Sequence, residues 1–295
     1  MMFHDYIIAE VRLRCNYDLA SIIKGFKPFE VETDSTTPVA TITLHNSYAP
    51  ELKGTPLASS YLAEANADGE FIRSDSGYAY IVTRRDDTSH KALFEIDYTT
   101  KLINCYIELT DNIDISVLRF GLWVMYGIVI APLRGIALHS STIEYDGRCA
   151  LFLGESGTGK STHTRLWREN IEGARLLNDD SPLIRIKDGC VNVYGSPWSG
   201  KTPCYINRHF PVAGFVRLSQ APYNKIKRLN ALVAIGALLP SCPHIFAEDN
   251  TLQDELCTTL SEVITVTPVY TLACLPNAEA AHLSHSTLFA SWLTA

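Results

Sequence analysis

The sequence predicts a mixed α/β (α+β) chain in two parts, a small β-rich N-terminal unit over residues 1–112 and a larger unit over residues 113–295. Three observations predict it. The first third of the chain consists of short β-like stretches separated by Gly, Asp and Ser clusters. One apolar run of helical length follows and ends at a proline. Beyond it come a strand, a glycine-rich loop and a helix in immediate succession. A chain of 295 residues also exceeds the usual single domain, which favours two cores.

In chain order, Val39–Leu44, Tyr78–Thr83 and Ala92–Tyr98 read as strands of an antiparallel unit. A helix is expected over about 115–130, stopped by Pro132. Its apolar stretch, Phe120–Pro132, covers 13 residues. A bilayer needs roughly 17–25, so a buried helix is expected and a membrane segment is not. Ile136–Tyr145 and Arg148–Leu153 read as two strands joined by Asp146-Gly147, a dipeptide suited to a two-residue type I′ hairpin. That register sets His139 opposite Gly154. A helix over about Ser161–Ile171 and a strand over Ala174–Asn178 follow, the strand leading into Asp179-Asp180 and broken by Ser181-Pro182. Last come a Gly/Pro-rich loop over Gly195–Lys201, two helices between about 226 and 262, a strand near Val269–Cys274 and a helix near Ala278–Leu293.

Composition narrows the class of function. Four Trp, eleven Phe and fourteen Tyr in a chain that is 46% hydrophobic describe a packed protein. A net charge of −7, with no basic run, disfavours a nucleic-acid partner, so any phosphate site must be local. The eight cysteines form no Cys-x-x-Cys pair and no zinc spacing, and read as free thiols of a reducing compartment. The start, Met1-Met2-Phe3-His4-Asp5-Tyr6, lacks a secretory pattern, which makes the cytoplasm the expected location. The oligomeric state stays open.

The chemistry concentrates in Gly154-Glu155-Ser156-Gly157-Thr158-Gly159-Lys160-Ser161-Thr162, a P-loop (Walker A) pattern set between a strand and a helix. Glycines let backbone N–H groups curve around an anion, and the helix N-terminus adds a positive dipole. Lys160 can reach the β- and γ-phosphates, and the Ser161 hydroxyl can join a magnesium shell, which implies ATP and Mg. A glycine-rich turn that happens to precede a lysine is the bland alternative. Asp179 and Asp180 stand at a strand end, where site residues gather. Neighbouring strand residues face opposite ways, so one carboxylate is expected to hold metal and the other to take a substrate proton. A solvated turn is the alternative for such a pair. His139, by its register, is a metal-shell or phosphate partner or else a structural histidine. Lys201 and Arg208 are candidates to clamp phosphates or an acidic substrate, against the ordinary reading of both as surface cations.

Leu138-His139-Ser140, Leu151–Thr162 and Arg175-Leu176-Leu177-Asn178-Asp179-Asp180 together resemble, in order and spacing, the nucleotide core of the HPr kinase and phosphoenolpyruvate carboxykinase superfamily. The resemblance covers about residues 115–210 and more loosely Val269–Leu283. It implies a phosphoenolpyruvate carboxykinase-like P-loop nucleotide-binding domain, metal contact for His139 and Asp180, and base duty for Asp179. Two departures stand out. No lysine lies between Lys101 and Lys160, where carboxykinases carry a metal-binding lysine, and Ser181 follows the aspartates where HPr kinases usually have arginine. The expected function is therefore an ATP- and Mg-dependent kinase acting on a serine-type hydroxyl of a protein, peptide or small molecule. The alternatives are an ATP-sensing module without turnover and a carboxykinase relative.

Overall fold

The computed structural model describes residues 2–63, 65–88, 91–109, 114–200 and 202–289. The fold is a mixed α/β arrangement with two large sheets. The chain divides into two compact units, residues 1–133 with 245–253, and residues 134–244 with 254–295. The boundary expected at residues 112–113 lies outside the described residues, and the helix after it belongs to the first unit.

The first unit is a nine-stranded sheet, antiparallel except where Ala40–His45 pairs in parallel with Val11–Cys15 and with Leu102–Tyr106. The three strands expected here occur as Ala40–His45, Gly77–Arg84 and Lys91–Asp97. The helix Ile115–Ile130 starts on an Asp114 cap and buries Leu118, Leu122, Met125, Val129 and their neighbours. Gly121 lets it approach the ring of Phe94, which would overlap any added Cβ. With the turn to Leu133 the stretch reaches 19 residues, long and apolar enough to cross a bilayer, and 67% of it is buried within the fold. The helix keeps the bounds expected of it, and the apolar run of 13 residues is shorter only because it begins after Ser116 and Arg119 in the first turns.

The second unit is also built on nine strands. Arg148–Leu153, His209–Gln220 and Val269–Cys274 run parallel side by side, so their carboxyl ends lie together. Both faces of this centre are covered. Leu151, Leu153 and Phe215 pack with Leu238, Leu260 and Val263 on one side. Phe152, Val216 and Leu272 pack with Trp167, Ala281 and Leu288 on the other. Double burial explains why Ala150–Leu153 is an unbroken apolar run instead of an alternating one.

The hairpin register is as the turn chemistry requires, from Tyr145 opposite Arg148 to Ser140 opposite Leu153, with positive φ at both Asp146 (49°) and Gly147 (72°). The expected single strand Ile136–Tyr145 is two: Gly135–Ala137 pairs with Leu183–Lys187, and Ser140–Tyr145 pairs with the hairpin partner and with Arg175–Asp180. Leu138 N and His139 N donate instead to Pro182 O and Ser241 O, which takes His139 out of the ladder. Lys225–Arg228, at the start of the region expected to hold two helices, form a strand on Val269–Cys274. The helices that follow cover Ala231–Leu238 and Asn250–Val266. The last helix runs Ala278–Phe289, and its expected continuation to Leu293 lies outside the described residues.

Candidate functional site

The glycine-rich loop leaves the doubly buried strand at Leu153. Gly154 (φ 149°), Gly157 (81°) and Gly159 (107°) all occupy backbone that side chains disfavour. At Gly154 a Cβ would also lie 2.6 Å from Thr158 Oγ1, whereas Gly157 and Gly159 face open space and are needed only for conformation. Thr158 folds back to donate from both its amide and its hydroxyl to Glu155 O. The helix Lys160–Asn170 then begins at Gly159 with no capping side chain, leaving its first amides for another acceptor.

Lys160 Nζ donates to Gly154 O (2.8 Å), to Glu155 O (3.1 Å) and to His139 Nε2 (2.9 Å). An ammonium has only donors, so Nε2 must accept and the imidazole is neutral with its proton on Nδ1. That nitrogen lies 3.0 Å from Asp180 Oδ1, which fixes the tautomer. Burial pulls the Lys160 pKa down, while Asp180 and Asp179 push it up. Asp179 is 6% exposed and accepts a hydrogen bond of 3.0 Å from Ser161 Oγ. The two carboxylates thus serve different partners, as adjacent strand positions require.

A second segment holds the aspartates in place. Gly200 N donates to Asp179 O (2.7 Å), Ser199 Oγ reaches the same carbonyl (3.4 Å), and Ser199 bridges Asp180. Beneath them Asn178 Nδ2 donates to Trp198 O and Ser196 Oγ to Ser181 O, all buried. Asp180 needs this support because its φ is 146°, a conformation that costs a non-glycine residue about 1–3 kcal/mol. A Cβ on Gly200 would sit 3.0 Å from Asp179 O and 3.1 Å from Asp180 Cβ. Gly200→Ala is therefore expected to lower turnover by about tenfold or more while nucleotide affinity holds within a few-fold, because a small misplacement penalises the reacting geometry most. Steady-state kinetics beside calorimetric titration separate the two.

The central parallel strand supplies what sequence reasoning missed. Arg217 Nη2 comes within 3.8 Å of Glu155 Oε1, Arg217 Nη1 donates to Ala237 O (3.2 Å), and Gln220 Nε2 donates to Gly157 O (3.3 Å). A single arginine inside the apolar run Val212–Leu218 was the available signal, since such a charge must find partners. Next to the loop opens a cavity of about 560 Å³, bounded by Gly157–Gly159, Thr162, Leu218, Gln220 and Leu275 among others. It lies at the carboxyl ends of the parallel strands, the usual ligand position in such sheets. His163 on its wall is buried, and that burial takes its pKa down to about 4, so it stays neutral, bonded to Ser284 and Trp167.

The candidates are brought together unequally. Lys160, Ser161, His139, Asp179 and Asp180 form one connected group. Arg208 does not join it. It precedes the first residue of the strand His209–Gln220, nine residues or about 25–30 Å of strand from Arg217, and stacks on Phe210. Lys201 lies outside the described residues. His139, Asp179 and Asp180 do not converge as a ligand trio either; among the described residues the one such group is His4, Asp18 and Glu30 in the first unit. There Asp18 caps a helix and Glu30 pairs with Lys27, so both carboxylates already have structural roles. The Ser161 hydroxyl and Asp179 carboxylate are nonetheless hard oxygen donors, which suits magnesium, an ion that takes one or two carboxylates and completes its shell with phosphate and water.

No family model matches the chain, and no curated protein does. Among solved structures it is remotely similar to the Hpr(Ser) kinase/phosphatase from Coxiella burnetii, with 12% identity, a TM-score of 0.32, and coverage of 54% of this chain and 97% of that one.

Proposed function

We propose that the protein binds ATP with magnesium at Gly154–Thr162 and transfers the γ-phosphoryl group to a serine-type hydroxyl. One observation carries the reading: a glycine-rich loop entering a helix whose Ser161 hydroxyl meets the buried Asp179 carboxylate at 3.0 Å, directly beside the Lys160–His139–Asp180 chain. A hydroxyl and a carboxylate so placed are what a nucleotide-bound magnesium requires from a P-loop protein.

The roles follow from the contacts. The loop amides and Lys160 hold the phosphates, and Lys160 exchanges its loop carbonyls and His139 for phosphate oxygens. Ser161 and Asp179 hold the metal, which when bound neutralises charge on the β- and γ-phosphates. His139, kept with its proton on Nδ1 by Asp180, then has Nε2 open to accept the proton of the attacking hydroxyl. The resemblance assigns these duties the other way, with Asp179 as base and Asp180 and His139 at the metal; the hydrogen bonds favour the exchange. Arg217 adds positive charge at the loop's outer side.

The test is direct. Purified protein incubated with magnesium and γ-labelled ATP is expected to move label onto serine-containing acceptors and to release ADP. Nucleotide binding that depends on Lys160 without any turnover would instead establish a sensing module, and turnover only with oxaloacetate a carboxykinase relative.

A further inference from the structure

The helix Ala231–Leu238 is apolar on both sides. It packs inward through Ala234, Ala237 and Leu238. Outward it presents Leu232 at 84% exposure and Val233 at 50%, then Gly236, and beyond its end Leu239 at 42% and Pro240. No Asp, Glu, Lys or Arg occurs between Arg228 and Glu248. A surface stripe without charge is uncommon on a chain that is 19% charged, and marks a contact surface.

Immediately before it, the strand Lys225–Arg228 pairs with Val269–Cys274 and with no other described strand. Lys225 and Lys227 are exposed, and neither has an acidic partner among the described residues. In a protein of charge −7 they make a local positive patch. Lys225 and Lys227 share a strand face with Leu229, which packs against the same core cluster as the helix, so patch and stripe lie on one side of the sheet.

The stripe leads to the candidate site. Arg217 ties Ala237 O to the loop residue Glu155, and Ser241 O accepts from His139 N at 2.7 Å. From Ala231 to Ser241 the backbone advances about 15 Å, from the basic strand to His139.

We infer that this track docks the phosphoryl acceptor, and that the acceptor is a polypeptide segment carrying acidic residues on one side of apolar ones. The inference rests on the phosphotransfer reading above. Charge complementarity selects the partner: acids meet Lys225 and Lys227, apolar side chains cover Leu232, Val233 and Leu239, and the hydroxyl arrives at His139. At about 3.3 Å per extended residue, the acids stand some four or five residues from the hydroxyl.

The test sorts a displayed library of random peptides, each about 15 residues long and thus able to span the track, against the full chain without nucleotide. The expected selection is enriched in Asp or Glu on one side of Leu, Ile, Val or Phe. A synthetic selected peptide should bind on the order of tenfold more weakly to Leu232→Asp and to the doubly substituted Lys225→Glu, Lys227→Glu protein. Reversing the peptide's acids to lysines should restore binding to the latter, which a misfolded variant could not show. Selection without acidic enrichment, equal binding to all three proteins, binding of phosphatidylserine vesicles in place of peptide, or a self-dimer that Leu232→Asp dissolves would each overturn the inference. Nucleotide affinity of the unaltered chain is measured separately, so a protein that binds peptide but no ATP refutes the phosphotransfer reading alone.

Discussion

Lys160→Ala is expected to lower turnover by about 10²–10³-fold, the scale on which one preorganised charge at a reacting group acts, and to bring ATP affinity below detection in a calorimetric titration. Among the described residues Lys160 Nζ is the one ammonium the loop holds, within 2.8 Å of Gly154 O and 2.9 Å of His139 Nε2. No described neighbour can replace it at that point, because Arg217 reaches the loop at Glu155, on its outer side. The substitution should leave the fold intact, since the carbonyls it frees lie at an accessible loop where water can replace the ammonium. Unchanged affinity and activity would remove the nucleotide assignment altogether.

Asp179→Asn carries the second large effect and distinguishes the two assignments of the aspartates. The replacement keeps shape and can still accept from Ser161 Oγ, yet it removes the buried negative charge. If Asp179 holds the metal, affinity for ATP without magnesium persists, the magnesium needed for half-maximal turnover rises by about tenfold or more, and turnover at saturating magnesium falls by about 10²-fold. If Asp179 is instead the base, the magnesium requirement stays put and only the rate falls. Titrating magnesium against rate in both proteins separates these results, and full transfer by the variant would exclude both.

The loop and its helix were legible in the sequence because glycine spacing, an adjoining apolar strand and a Lys-Ser pair are all local signals. The hairpin was legible for the same reason: Asp146-Gly147 dictates a turn whose two positive φ values few other pairs accept. Sequence separation hid the rest. His139 leaves its expected ladder because backbone partners at Pro182 and Ser241 are closer to hand than the strand, and nothing within ten residues announces either. Arg217 and Gln220 reach the loop only because a parallel pairing places Leu153 beside Arg217, a contact decided by the whole sheet. Arg208 is a cation close in sequence to the Gly/Pro-rich loop, but the long strand that follows it carries the site to its other end. The strand Lys225–Arg228 at the start of the region expected to hold two helices is too short for its pattern to separate the two periods.

The unusual backbone at Asp180 sets stability against use at a single peptide unit. Glycine would relax a φ of 146° and, by the same energetics, give a sturdier protein. It would also remove the carboxylate that fixes the His139 tautomer, and with it the open acceptor on the imidazole. Thermal selection acting alone would thus tend to erase the site from this position, and a screen for heat resistance should be paired with one for turnover if the stabilised chain is to remain a working one.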